Sequence, residues 1–172
     1  MKRVAILMAV LAMAAGCDDN SPTQPSNTGP IVFTAQLSAA NEVPAITNAE
    51  STARGTTTIT FNVPRDSNGA ITGGGNATFG VQLNSFPTSS TAVIAAHIHP
   101  GAAGANGNPL VSLNVSAGAP IVLTNGAANV SITVAISQAD ATAITAAPAN
   151  YYFNVHTVLN GAGAARGQLA RQ

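Results

Sequence analysis

From Ile31 onward apolar and polar residues alternate with a period of two. Phe33, Ala35 and Leu37 alternate with Thr34, Gln36 and Ser38, and Ile59, Phe61 and Val63 with Thr58, Thr60 and Asn62. Ala77, Phe79, Val81 and Leu83 form a third set, and Val130, Ile132, Val134 and Ile136 a fourth. Side chains on a strand point to opposite faces in turn, so each run predicts a strand with one face in a core. Ala92 to His99 is apolar on both faces for most of its length and reads as a central strand. Further strands are expected at 109–115, 120–124 and 150–158. Four Asn-Gly pairs, at 68–69, 106–107, 125–126 and 160–161, punctuate the runs as hairpin signals, and Gly73-Gly74-Gly75 marks a bulge or an alternative turn. Ser137 to Ala147 departs from period two. Ser137 with Asp140 three residues on makes a capping box and Pro148 ends the segment, so a short helix is predicted over 138–146. The fold class expected is all-β: an immunoglobulin-like antiparallel β-sandwich or Greek-key barrel of about seven to nine strands with one short helix.

Upstream of this region the pattern changes. Lys2 and Arg3 precede an apolar stretch from Val4 to Met13, and Ala14-Ala15-Gly16 lead to Cys17, the single cysteine of the chain. This reads as a secretory signal, too short to span a membrane as a mature helix. The small residues before a lone cysteine resemble a lipobox, in which that cysteine is acylated; Ala14 stands where leucine is usual. The resemblance implies lipidation at Cys17 and a bacterial cell-envelope location; the alternative is an ordinary signal cut nearby, leaving a free thiol. Asp18 resembles an inner-membrane retention signal of some enteric lipoproteins, and inner and outer membrane stay open. The organisation expected is a signal over 1–17, a polar Pro-containing tether over 18–29 with a reach of about 20 Å if flexible, and one β domain over 30–172.

Composition narrows the function. Residues 18–172 contain no lysine, four arginines and six carboxylates. No basic stripe exists to neutralise phosphates, so a nucleic-acid partner is not expected. With Cys17 acylated, neither a disulfide nor a thiolate site is available. No Gly-x-Ser-x-Gly elbow, phosphate loop or close carboxylate pair is present, and no enzyme activity is expected.

The three histidines fall in two segments, Ala96-His97-Ile98-His99 and Tyr152-Phe153-Asn154-Val155-His156. On a strand His97 and His99 share a face, leaving Ile94, Ala96 and Ile98 for the core. Likewise Phe153 and Val155 point inward while Tyr152, Asn154 and His156 share the other face. Counting strands as strictly up and down makes the two histidine strands run in the same direction, with both groups at one end of the fold. That count depends on 120–124 being a reversing strand. Three imidazoles at one end suit Cu²⁺ or Zn²⁺ with an open position; the alternative is a structural role in which they hydrogen-bond backbone and close loops. Glu42, just after the first strand, and Arg166, in the last, are candidates for a charge-assisted hydrogen bond joining the terminal strands. A fourth metal ligand is the less favoured reading of Glu42.

Leu37 to Pro44 (LSAANEVP), Ala96 to Gly101 (AHIHPG), Tyr152 to Thr157 (YFNVHT) and Gly163 to Leu169 (GAARGQL) resemble, in this order, the motifs of the CHRD domain, first described in chordin and widespread in bacterial exported proteins. Ala164-Ala165 stand where that family often has Glu-Ile. The resemblance implies an immunoglobulin-like β fold and no common activity. The leading expectation is therefore a lipid-anchored, non-catalytic binding or structural module with an unknown protein or glycan partner. The alternative is a copper- or zinc-binding protein using His97, His99 and His156. The His-x-His strand is weakly like copper-zinc superoxide dismutase, which needs further histidines, an aspartate and a disulfide that this chain lacks.

Overall fold

The computed structural model describes residues 29–172. The signal at 1–17 with Cys17, and the tether up to residue 28, lie outside the described residues. Ten strands pair antiparallel into one sheet: β1 (Ile31–Ser38), β2 (Arg54–Asn62), β3 (Gly75–Asn84), β4 (Ala92–Pro100), β5 (Val111–Ser112), β6 (Ile121–Val122), β7 (Ala128–Ile136), β8 (Tyr151–Thr157), β9 (Ala165–Gln168) and β10 (Ala170–Arg171). The order is β5-β4-β8-β9-β1-β2-β3-β7, with β6 also on β4 and β10 on β1. The sheet curls until it nearly closes into a barrel. Phe79 on β3 and Phe153 on β8, four places apart in the order, meet across the interior with ring centroids 5.7 Å apart. Phe33, Ile59, Phe61, Val81, Ile98, Val155 and Leu169 fill the rest of this core. Burying large side chains of this kind contributes about 1.5–3 kcal/mol each, which offsets the absence of a disulfide.

Strands β1, β2 and β3 bury the residues that the alternation picks out. Of the fourth set, Val134 and Ile136 are buried, while Val130 and Ile132 pack half-exposed at the edge. The predicted helix is α1 (Gln138–Ala146), and Ser137 Oγ caps it by accepting from Asp140 N at 3.0 Å. One inward assignment needs correction. Pairing of β4 with β8 shifts register between Val93 and Ala95, so Val93, Ala96 and Ile98 are buried while Ile94 is not. A bulge adds one residue and flips the faces on one side of it, and the sequence pattern of a doubly apolar strand does not reveal it.

The strand count also fails as an argument. β4 and β8 are neighbours and run antiparallel, not in the same direction. β5 pairs with the His97 end of β4 and β6 with its Ala92 end, both antiparallel to β4. They therefore run in one direction as two pieces of a single interrupted edge strand, and the segment at 120–124 does not reverse the chain.

Candidate metal centre

Adjacency of β4 and β8 brings the histidines together. His97 stands opposite Asn154 and His99 opposite Tyr152, while His156 lies opposite Ala95. On β9, Arg166 continues the His97–Asn154 row and Gln168 the His99–Tyr152 row. Opposite residues share a face, so His97, His99, Tyr152, Asn154, His156 and Arg166 form a polar layer on the outer side of the sheet, behind the apolar core. Loops at 39–53, 101–110 and 158–164 cover it. His99 and His156 are buried, at 4 % and 7 % exposed, as are Tyr152, Asn154 and Arg166. His97 is half-buried.

The three imidazoles each offer a nitrogen, and these atoms lie within 4.8 Å of one another. For His99 and His156 the hydrogen bonds fix which nitrogen that is. His99 Nδ1 lies 2.9 Å from the carbonyl of Gly107, and His156 Nδ1 lies 3.1 Å from that of Gly161. A carbonyl only accepts, so both Nδ1 atoms carry the hydrogen and both Nε2 atoms carry a lone pair. His156 Nε2 accepts from His97 Nδ1 at 3.1 Å, and Asn154 Oδ1, itself an acceptor, lies 3.0 Å from the same Nε2. His99 Nε2 is buried with no hydrogen-bond partner among the described residues. A buried lone pair left without a donor costs about 1–3 kcal/mol, and a cation among the three rings would satisfy it.

All three rings are held neutral. Burial, then the neighbouring imidazoles, pushes His97 down to about 4. Burial lowers His99 as well, opposed by the Gly107 carbonyl bonded at Nδ1 and by the nearby Asn154 side chain, and reinforced by the Arg166 charge. Burial also lowers His156, against the pull of the Gly161 carbonyl. Neutral imidazole is the form that binds metal, so this site would give up no proton to load one. The backbone carbonyls on Nδ1 fix tautomer and ring orientation in the way expected behind metal-ligating histidines.

Asn106-Gly107 and Asn160-Gly161 supply those carbonyls. Of the four Asn-Gly pairs, Asn125-Gly126 forms a two-residue turn with both φ angles positive, bridged by Thr124 and Ala127. The pairs at 106 and 160 are parts of longer loops that fold back over the histidines. Glu50, which the pattern did not mark, anchors one of them. Fully buried, its carboxylate accepts from Thr157 Oγ1 at 2.7 Å, from Asn160 Nδ2 and from Ser90 Oγ.

Glu42 and Arg166 are both brought to this layer, but not into the hydrogen bond expected of them. Arg166 donates from Nε to the Asn41 carbonyl at 2.6 Å and from Nη1 to the Ala105 carbonyl at 3.1 Å and Asn106 Oδ1 at 2.8 Å. Its guanidinium lies 4.5 Å from the Tyr152 ring centre, and that ring stacks on His99 at 4.9 Å with planes 4° apart. Arg166 Nη2 and Glu42 Oε1 are buried and unpartnered. The guanidinium is held by loop carbonyls and acts on Glu42 through its field. Burial raises Glu42 to about 7, opposed by the Arg166 charge and a hydrogen bond from Asn154. Glu42 is not one of the residues whose ligand atoms cluster with the histidines, so the geometry gives the metal-ligand reading of Glu42 no support.

Against known proteins, no curated sequence and no solved structure matches the chain. The CHRD domain profile matches residues 33–169, from Phe33, the first residue of the first core set, to Leu169, which ends the closing motif. That span includes every residue of the polar layer and all four motifs that suggested the resemblance, and the chain belongs to the CHRD domain family.

Proposed function

We propose that this chain is an exported, lipid-anchored, non-catalytic CHRD module that binds a copper or zinc ion on His97, His99 and His156. The observation that carries the metal reading is the unpartnered, buried Nε2 of His99, beside a His156 Nε2 whose lone pair is fixed by a carbonyl on the far side of the ring. Imidazole suits both metals, and three protein ligands with an open fourth position is a familiar arrangement for either. The anchor rests on the order of charge, apolar run and small residues before Cys17. Acyl chains there contribute about 0.8 kcal/mol per buried CH₂ to membrane attachment.

A purely structural use of the histidines is the second reading, favoured by the His97–His156 hydrogen bond and the two carbonyl contacts. Metal content separates the two. The chain carrying Cys17→Ser, purified without a histidine tag and offered Cu²⁺ and Zn²⁺, should retain about one equivalent. His97→Ala, His99→Ala and His156→Ala should each lose most of it. Absence of bound metal in the unsubstituted site, with His97→Ala altering stability alone, would establish the structural reading. The mass of the N-terminal peptide of the membrane-extracted protein tests the anchor: acyl chains on Cys17 are expected, and an unmodified thiol refutes them.

A further inference from the structure

We propose that the three-histidine site is built to hold copper as Cu(I) in preference to Cu(II) or Zn(II). This rests on the metal reading of the same residues. Its first support is the donor set: three neutral nitrogens, with no thiolate and no carboxylate among the clustered ligand atoms of the described residues. The ion's full charge would therefore stand in a largely buried place. The cost of desolvating an ion grows with the square of its charge, so a dication pays about four times what a monocation does.

The second support is the surrounding charge. Arg166, 2 % exposed, is fixed by three hydrogen bonds on one side of the Tyr152 ring system that stacks on His99. It is a resident positive charge in the same polar layer, 4.5 Å from the centre of the ring that stacks on His99. A resident cation repels a dication twice as strongly as a monocation. Glu42, the carboxyl group brought to this layer, is itself buried, with Oε1 unpartnered.

Coordination number is the third support. Nitrogens about 2.0 Å from a shared ion in a trigonal set stand about 3.5 Å apart, a modest contraction from the observed limit of 4.8 Å. Cu(II) asks for a tetragonal set of four or more donors, and the cluster among the described residues supplies three.

The test is a competition titration of the full chain carrying Cys17→Ser. Cu(I) is offered under anaerobic conditions against a bicinchoninate chelator, and Cu(II) and Zn(II) are offered separately against chelators of matched strength. Cu(I) is expected to be held at least about 100-fold more tightly than Cu(II), which places the bound couple about 120 mV above the aqueous one. Glu42→Gln should widen that ratio and Arg166→Gln should narrow it, each severalfold. If Arg166→Gln fails to fold, Glu42→Gln alone still fixes the sign. Binding of Cu(II) or Zn(II) as tight as that of Cu(I) overturns the preference while leaving the metal site standing. Failure to hold any of the three ions overturns the site itself.

Discussion

Glu42→Gln gives the sharpest test of the polar layer because it keeps the shape and removes only the charge. In the folded chain the Glu42 carboxyl is raised from 4.5 to about 7, chiefly by burial; unfolded, it returns to the ordinary value. Between those two values the folded state binds more protons than the unfolded state. The contribution of Glu42 to stability is therefore fully present below about pH 4.5 and is lost as pH rises through 7. The displacement corresponds to a ceiling of about 3.4 kcal/mol. Solvent reaches part of the group and screens it, so about 2 kcal/mol is a fair expectation. Glutamine does not titrate, and the histidines titrate alike in both proteins. The difference in unfolding free energy between Glu42→Gln and the parent should thus grow by about 2 kcal/mol in favour of glutamine from pH 5 to pH 8.5. Urea unfolding of the metal-free proteins at several pH values measures it. A difference that does not change with pH refutes the burial argument. A difference that moves against glutamine at high pH would mean that Arg166 and Glu42 form a favourable ion pair after all.

Gly163 sits at φ +143, and a Cβ there would lie 2.6 and 2.7 Å from the two carboxylate oxygens of Glu42. Gly163→Ala should cost about 2–4 kcal/mol, and a Glu42→Ala background should recover part of that in thermal unfolding. Ser137→Ala removes the cap of α1 and should cost about 1 kcal/mol, read from the shift in denaturation midpoint. The folded histidines are lowered, His97 to about 4, so below 6.5 the unfolded chain takes up more protons. Stability of the metal-free protein attributable to these rings should fall as pH drops from 6.5 towards 4. The same lowering keeps the ligands unprotonated, so bound metal should survive at pH 6 and be released as the pH falls towards the His97 value of about 4, followed by dialysis and metal analysis.

Much of this was legible in the chain because one periodicity and one local cap carry it. Strict alternation located β1, β2 and β3 and the residues they bury, since those strands keep one face on the core throughout. Ser137 and Asp140 placed α1 because a cap is local chemistry. The shared face of Tyr152, Asn154 and His156 was also readable, as was the pairing of His97 with His99. What failed was long-range. A bulge after Val93 moved Ile94 off the core, and the split edge strand β5/β6 broke the direction count, so the histidines converge through antiparallel adjacency instead. Arg166 took loop carbonyls in place of Glu42, because the 39–53 and 101–110 loops present oxygens closer than the carboxylate. Tyr152 and Asn154 belong to the site through cross-strand register with His99 and His97, which one strand's sequence does not contain.

The two imidazoles with fixed tautomers are oriented by main-chain oxygens, at Gly107 and Gly161, and by no acidic side chain. The outer support of the site is thus a loop trajectory, not a residue type. Side-chain substitution cannot delete it, yet a one-residue insertion or deletion in either loop would misplace a carbonyl and release a ring. Related chains could change nearly every loop residue and keep the chemistry, provided loop length and the room for a bare backbone survive. A search that looks for carboxylate–histidine pairs would pass over such a site, whereas one that looks for glycine-bearing loops of constant length behind a His-x-His strand would find it.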